Sequence, residues 1–123
     1  MGYNGITVLV VEDEILLRMD LAMSLEDQGF KVYEASSADE AIDILSAHSE
    51  INLMFTDIDM PGSMDGLKLA AAVRDRWPPI KIIITSGHRH LSDDQLPVEG
   101  KFFDKPYNAS LLISTMKDMV GAL

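Results

Sequence analysis

A chain of 123 residues, 47% hydrophobic and 24% charged, fits one globular domain that builds its own core without staples. It holds no cysteine, which excludes a disulfide framework, a thiolate zinc site and a cysteine nucleophile. Its formal net charge of −10 argues against direct contact with a nucleic-acid backbone, which calls for clustered Lys and Arg. The first apolar run, from Ile6 to Val11, is too short for a signal sequence or a membrane span, so a cytoplasmic protein with no membrane contact is expected.

That run is continuous and β-branched, as a parallel strand buried on both faces should be. It ends in Glu12-Asp13-Glu14. A helix then runs to about Gln28, with Leu17, Leu21 and Leu25 in one row and Gly29 as its stop. Lys31 to Ala35 alternates like an edge strand. Ser37-Ala38-Asp39-Glu40 reads as a capping box, opening a helix with Ala38, Ala41, Ile42 and Leu45 on one face. The third strand, Leu53 to Thr56, closes on Asp57. The loop Ile58 to Gly66 follows, then a helix from about Asp65 to Arg76 with Leu69, Ala70, Val73 and Trp77 inward, stopped by Pro78-Pro79. Lys81 to Thr85 is the fourth strand. Ser86 to Gly100 is weakly patterned and admits at most a short helix near Ser92 to Leu96. Lys101 to Phe103 is the fifth strand. Asn108 caps a last helix to about Val120, with Leu112, Thr115, Met116 and Met119 on one face. The eight methionines are expected mainly as core filler. Strand and helix alternate throughout, which predicts a doubly wound α/β fold around a five-stranded parallel sheet.

In a parallel sheet all strands deliver their C-terminal ends to one edge, where such folds bind ligands. The first strand brings Glu12 and Asp13 there, the third Asp57 and Asp59, the fourth Thr85 and Ser86, and the fifth is followed by Lys105. Clustered carboxylates repel unless neutralised. Oxygen ligands favour Mg²⁺, with Mn²⁺ as a substitute. A carboxylate is a competent nucleophile toward phosphorus, and the Thr85 hydroxyl and Lys105 ammonium suit phosphoryl oxygens.

The motifs Val-Val-Glu12-Asp13, Phe-Thr-Asp57-Ile-Asp-Met-Pro61 with Asp65-Gly66, Ile-Ile-Thr85-Ser86-Gly and Lys105-Pro106 resemble the receiver domain of two-component response regulators, over residues 1–123. The resemblance implies a flavodoxin-like sheet in the order 2-1-3-4-5 and a phosphoryl group accepted by Asp57 from a sensor histidine kinase or a histidine phosphotransfer protein, controlling a downstream protein target. It implies Mg²⁺ among Glu12 (directly or through water), Asp13, Asp57 and the carbonyl of Asp59. Thr85 and Lys105 would meet the phosphoryl group, with Ile58 and the Ser86 amide also in phosphoryl-binding positions. Thr85 and Phe102 fall on the switch positions, and a cis Lys105–Pro106 bond is expected. The domain would catalyse only its own phosphorylation and dephosphorylation. The chain ends soon after its last helix, which fits a single-domain receiver, a phosphorelay shuttle or a piece of a larger regulator.

Two features depart from the family pattern. Phe102 stands where Tyr is frequent and cannot make a hydroxyl hydrogen bond. Ser86 to Gly100 is short and carries Pro97 where the family has its fourth helix. His88 and His90 in that stretch read as solvated loop residues rather than a metal pair, and Asp59 as an acid able to alter the lifetime of the phosphoaspartate. Asp57-Ile58-Asp59 also matches the Asp-x-Asp core of haloacid-dehalogenase-type phosphatases, an enzyme reading that leaves Glu12-Asp13 without a role. A flavin or nucleotide binder would want a Gly-rich loop where Glu12-Asp13-Glu14 stands. An adaptor that binds without phosphorylation would not need the acids and Lys105.

Overall fold

The computed structural model describes residues 3–121. Five parallel strands form one sheet, β1 (Thr7–Val11), β2 (Lys31–Ala35), β3 (Leu53–Asp57), β4 (Lys81–Ser86) and β5 (Lys101–Asp104), in the order β2-β1-β3-β4-β5. Three α-helices connect the first four strands, α1 (Ile15–Asp27), α2 (Ala38–Ala47) and α3 (Gly66–Arg76), and a fourth, α4 (Ala109–Gly121), follows β5. Alternate strand residues feed opposite faces. Leu9, Val11, Met54, Ile82 and Ile84 pack against α2 and α3. Val8, Val10, Leu53, Phe55 and Ile83 pack against Leu21 and Leu25 of α1 and Leu112 and Met116 of α4. β1 and β3 are buried along their whole length, which is why they read as unbroken apolar runs rather than alternating ones.

The helix ends follow local chemistry. Asp65 caps α3 by accepting from the Lys68 amide at 2.9 Å, one residue ahead of the first helical residue. Gly29 takes φ +89°, the left-handed turn that ends α1, while Phe30 N–H returns to the Leu25 carbonyl at 3.1 Å. The capping box is half realised. Ser37 Oγ accepts from the Glu40 amide, but the Glu40 carboxylate reaches the amide of Ser36 instead of Ser37.

The structure sharpens three of these readings. Leu17 lies on the exposed side of α1 at 38% exposure, and the buried face is Leu21, Ala22 and Leu25. Methionine is not only core filler: Met54 and Met116 are buried, whereas Met19 and Met23 are exposed. The stretch after β4 carries a single 3-10 turn, Asp93–Gln95, the short helix expected between Ser92 and Leu96. It still closes its face of the sheet. Leu96 and Val98 are buried and Leu91 packs beside them, while the Arg74 guanidinium ties the Pro97 carbonyl to α3 at 2.7 Å. Pro97 lacks an amide N–H and the apolar residues sit without a helical period, so a short turn followed by bends buries them where a helix could not.

Candidate functional site

Register places the site. Val11 pairs with Thr56, so Asp57 extends one residue beyond it. Asp57 in turn pairs with Thr85, and Thr85 with Phe103. The ends of β1, β3, β4 and β5 therefore meet at one edge of the sheet. Ligand oxygens of Glu12, Asp13 and Asp57 lie within 4.8 Å of one another. Glu12 and Asp57 are buried, at 3% and 4% exposure, and Asp13 is open to solvent.

Lys105 bridges the two buried acids. Its Nζ donates to Glu12 Oε1 at 2.7 Å and to Asp57 Oδ2 at 3.0 Å. Burial pushes the Glu12 carboxyl above its ordinary range, and its hydrogen bonds to Lys105 and to the Glu14 amide only partly oppose that. Burial pulls Lys105 down, but its hydrogen bonds to Glu12 and Asp57 outweigh this and leave it above the usual lysine value. The peptide bond between Lys105 and Pro106 is cis, as expected. The next residue, Tyr107, lies edge-on to Phe55 with ring centroids 5.5 Å apart, and burial together with the charge of Glu12 raises its hydroxyl pKa.

Several further hydrogen bonds support this edge. The Glu14 amide donates to Glu12 Oε2 at 3.1 Å, and Arg18 Nη1 holds the Glu12 carbonyl at 3.0 Å. The Asp59 amide donates to Asp57 Oδ1 at 3.3 Å. Ser86 Oγ donates to Asp59 Oδ2 at 2.7 Å. Arg18 sits one turn into a helix that starts just after Glu12, which is the only hint the sequence offers for it.

Other expected residues are placed differently. The Ile58 amide is taken by the Thr85 carbonyl at 2.9 Å and so does not face Asp57; the amide that does is that of Asp59. The Thr85 hydroxyl, fully buried, donates to the Phe103 carbonyl at 2.7 Å, toward β5 and away from the acids. Phe102 is half-buried, its amide donating to Asp93 Oδ1 at 2.9 Å, with the His90 ring edge-on at 6.3 Å. His88 and His90 do not converge. His90 Nδ1 pairs with Asp104 at 2.9 Å while its ring stays exposed.

Among the described residues no helix is long and apolar enough to cross a membrane. The chain spans well under two thirds of its curated relatives. It matches the sensor kinase CckA of Brucella abortus (strain 2308) with 36% identity, covering 93% of this chain and 12% of that protein. It matches the aerobic respiration control protein ArcA of Escherichia coli (strain K12) with 34% identity, covering 93% of this chain and 48% of that one. A response regulator receiver protein from Sinorhizobium medicae WSM419 superposes with a TM-score of 0.87 and 30% identity over 97% of both chains. The Thermotoga maritima response regulator TrrA, solved in complex with Mg²⁺–BeF, superposes with a TM-score of 0.81 and 27% identity, over 93% of this chain and 98% of that one. The model of the response regulator receiver domain matches residues 8–117, a span that holds every acid, the hydroxyls and the lysine of this sheet edge, and the chain belongs to that family.

Proposed function

We propose that Asp57 is the phosphoacceptor, taking a phosphoryl group from the phosphohistidine of a sensor histidine kinase or a histidine phosphotransfer protein. The observation that carries this reading is the burial of Asp57 at the end of β3, with Glu12 and Asp13 in ligand range and Lys105 on its Oδ2. A carboxylate oxygen of Asp57 attacks phosphorus, the imidazole leaves, and an acyl phosphate forms. The acid set fits a divalent cation, since the donors are all oxygen. Glu12, Asp13, Asp57 and the Asp59 carbonyl would hold Mg²⁺ or Mn²⁺. When bound, the metal neutralises charge between the acids and the phosphoryl oxygens. Lys105 and the amide of Ser86 then hold the phosphoryl group, and Thr85 exchanges its Phe103 carbonyl for it. Phe102 and the 87–100 segment carry the change to a downstream protein. The domain occupies residues 1–123 and acts in the cytoplasm as a switch, not as an enzyme with turnover. A phosphatase built on Asp57 and Asp59 finds no support: Asp59 is bonded to Ser86, and the family match speaks for a receiver.

Incubation with Mg²⁺ and a small acyl phosphate, read by intact mass, should add one phosphoryl group to the wild type and none to Asp57→Asn. An unmodified wild type, or an equal adduct on the variant, overturns the assignment.

The surface beside the site supports a protein donor. α1 begins two residues after Asp13 and is apolar on its outer side, with Ile15, Leu16, Met19 and Met23 between 48% and 79% exposed. A partner that presents its histidine to Asp57 has this face to rest on. Leu16→Glu should lower the rate of transfer from a histidine-phosphorylated protein by about tenfold, as for an interface anchor, and leave phosphorylation by the small acyl phosphate unchanged. Equal transfer from the protein donor would remove α1 from the interface.

A further inference from the structure

The side chains of Asp59 and Ser86 have no part in the chemistry above, which uses only their main-chain atoms, yet they are bonded to each other beside the site. Ser86 is 1% exposed. Its Oγ donates to Asp59 Oδ2 at 2.7 Å and accepts from the amides of His88 at 3.1 Å and Arg89 at 3.0 Å. A hydroxyl has one proton and two lone pairs, so its capacity is full. The Ser86 carbonyl accepts from the Lys105 amide at 3.0 Å. Asp59 is likewise held at both ends, by its amide on Asp57 and its carboxylate on Ser86.

We infer that Asp59 and Ser86 form a clasp of positioning residues across the sheet edge, an inference that rests on the receiver reading above. The Ser86 hydroxyl fixes the Asp59 main chain, so that its carbonyl is preset for the divalent cation. Asp59 in return fixes the single Ser86 proton on its own carboxylate and holds the Ser86 residue in place, so that the Ser86 amide is preset on the phosphoryl side. A lone carbonyl ligand on a loop depends on such outer support more than a side chain on a strand does. The clasp also reaches past the site. Because Ser86 Oγ takes the His88 and Arg89 amides, the start of the 87–100 segment is folded onto the group that supports the metal ligand. The role belongs to the hydrogen bond and not to the Asp59 charge, since an acceptor oxygen at that position is enough to keep it.

Mg²⁺ binding to the unphosphorylated protein, measured by titration calorimetry, tests this directly. Ser86→Ala should weaken Mg²⁺ by about tenfold, the usual effect of losing an outer-shell partner. It changes no charge and leaves a smaller side chain. Asp59→Ala should weaken it at least as much, and Asp59→Asn, which keeps an oxygen for the Ser86 hydroxyl, should stay within about threefold of wild type, a fraction of the cost of losing a hydrogen bond to a charged group. In the Asp59→Ala background, Ser86→Ala should have no further effect, because the bond is already gone. Wild-type Mg²⁺ affinity in Ser86→Ala, or the same loss with and without Asp59, overturns the clasp while the receiver reading stands. A wild type that neither binds Mg²⁺ nor takes up a phosphoryl group overturns both.

Discussion

Gly66→Ala should cost about 3 kcal/mol of stability or more, at the upper end of overpacking penalties, and should slow phosphorylation at the same time. A Cβ at this position would stand 2.0 Å from the carbonyl oxygen of Asp57 and 2.9 Å from the Cα of Ile58. Both are backbone atoms, so no rotamer change relieves the contact. The reason lies in how α3 starts. Gly66 is its first residue, buried, with its amide on the Ile58 carbonyl at 2.9 Å. The helix therefore begins against the peptide that follows Asp57, and only a residue without a side chain fits there. To accommodate a methyl group, either α3 must draw back from β3 or the Asp57 main chain must move. The first loses packing of Leu69 and Ala70, which are fully buried. The second displaces the carboxylate from Lys105. Gly121→Ala is the matching control, since a Cβ there meets nothing. Denaturant midpoints in the absence of metal should fall for Gly66→Ala and hold for Gly121→Ala. A Gly66→Ala protein with an unchanged midpoint would mean that α3 can shift without cost.

That close approach shows what the sequence makes legible. Asp65-Gly66 could be read as a helix start, because the Asp cap is a local device. That the Gly is required by Asp57 could not be read, because the contact joins a helix to the end of a strand. The same division runs through the site. Glu12, Asp13, Asp57 and Lys105 could be collected in advance because parallel strands put like ends together, and β1, β3 and β4 declared themselves by unbroken apolar runs. The resting partners of the Thr85 hydroxyl and the Ile58 amide could not be read, because each has several acceptors within reach and the register of β4 against β5 and β3 decides which one it takes. The bonds of Arg18 and of the Ser86 hydroxyl could not be read for the same reason: their partners, the Glu12 carbonyl and Asp59, come near only once the sheet is assembled. On α1 the buried face could not be told from the exposed one, since Ile15, Leu16, Met19 and Met23 are apolar on the outer side too. The 87–100 segment offered no period at all. Its core residues Leu96 and Val98, with half-buried Leu91 beside them, are supplied by bends and irregular chain.

Lys105→Met should destabilise the metal-free protein by about 2 to 4 kcal/mol near neutral pH, the scale of breaking a largely buried ion pair. The lysine side chain is 17% exposed and its partners Glu12 and Asp57 are 3% and 5% exposed, so water replaces little of what the ammonium provides. Without it two carboxylates face each other at the sheet edge, and one must take up a proton or the site must open. The pH dependence has a definite sign. Glu12 is raised above its ordinary value even with Lys105 present. A raised carboxyl favours folding at acid pH, below its unfolded value, and loses that contribution as pH climbs through the folded value. Removing Lys105 takes away the hydrogen bond and charge that hold Glu12 down, so the gap between wild type and variant should be small at acid pH and widen as pH rises. In the wild type, Lys105 itself is raised, so its contribution is complete at neutral pH and fades only as pH rises past the lysine range. A divalent cation supplies the missing charge. Saturating Mg²⁺ should therefore stabilise Lys105→Met more than it stabilises the wild type, where about 2.7 kcal/mol is expected at a hundredfold excess over the dissociation constant. Adding Asp57→Asn to the variant should recover part of the loss without metal, by removing one of the opposed charges. Denaturation curves at acid and neutral pH, with and without Mg²⁺, measure each of these. If Lys105→Met unfolds at the wild-type midpoint at neutral pH without metal, Lys105 does not neutralise the pair, and its place between Glu12 and Asp57 serves the phosphoryl group alone.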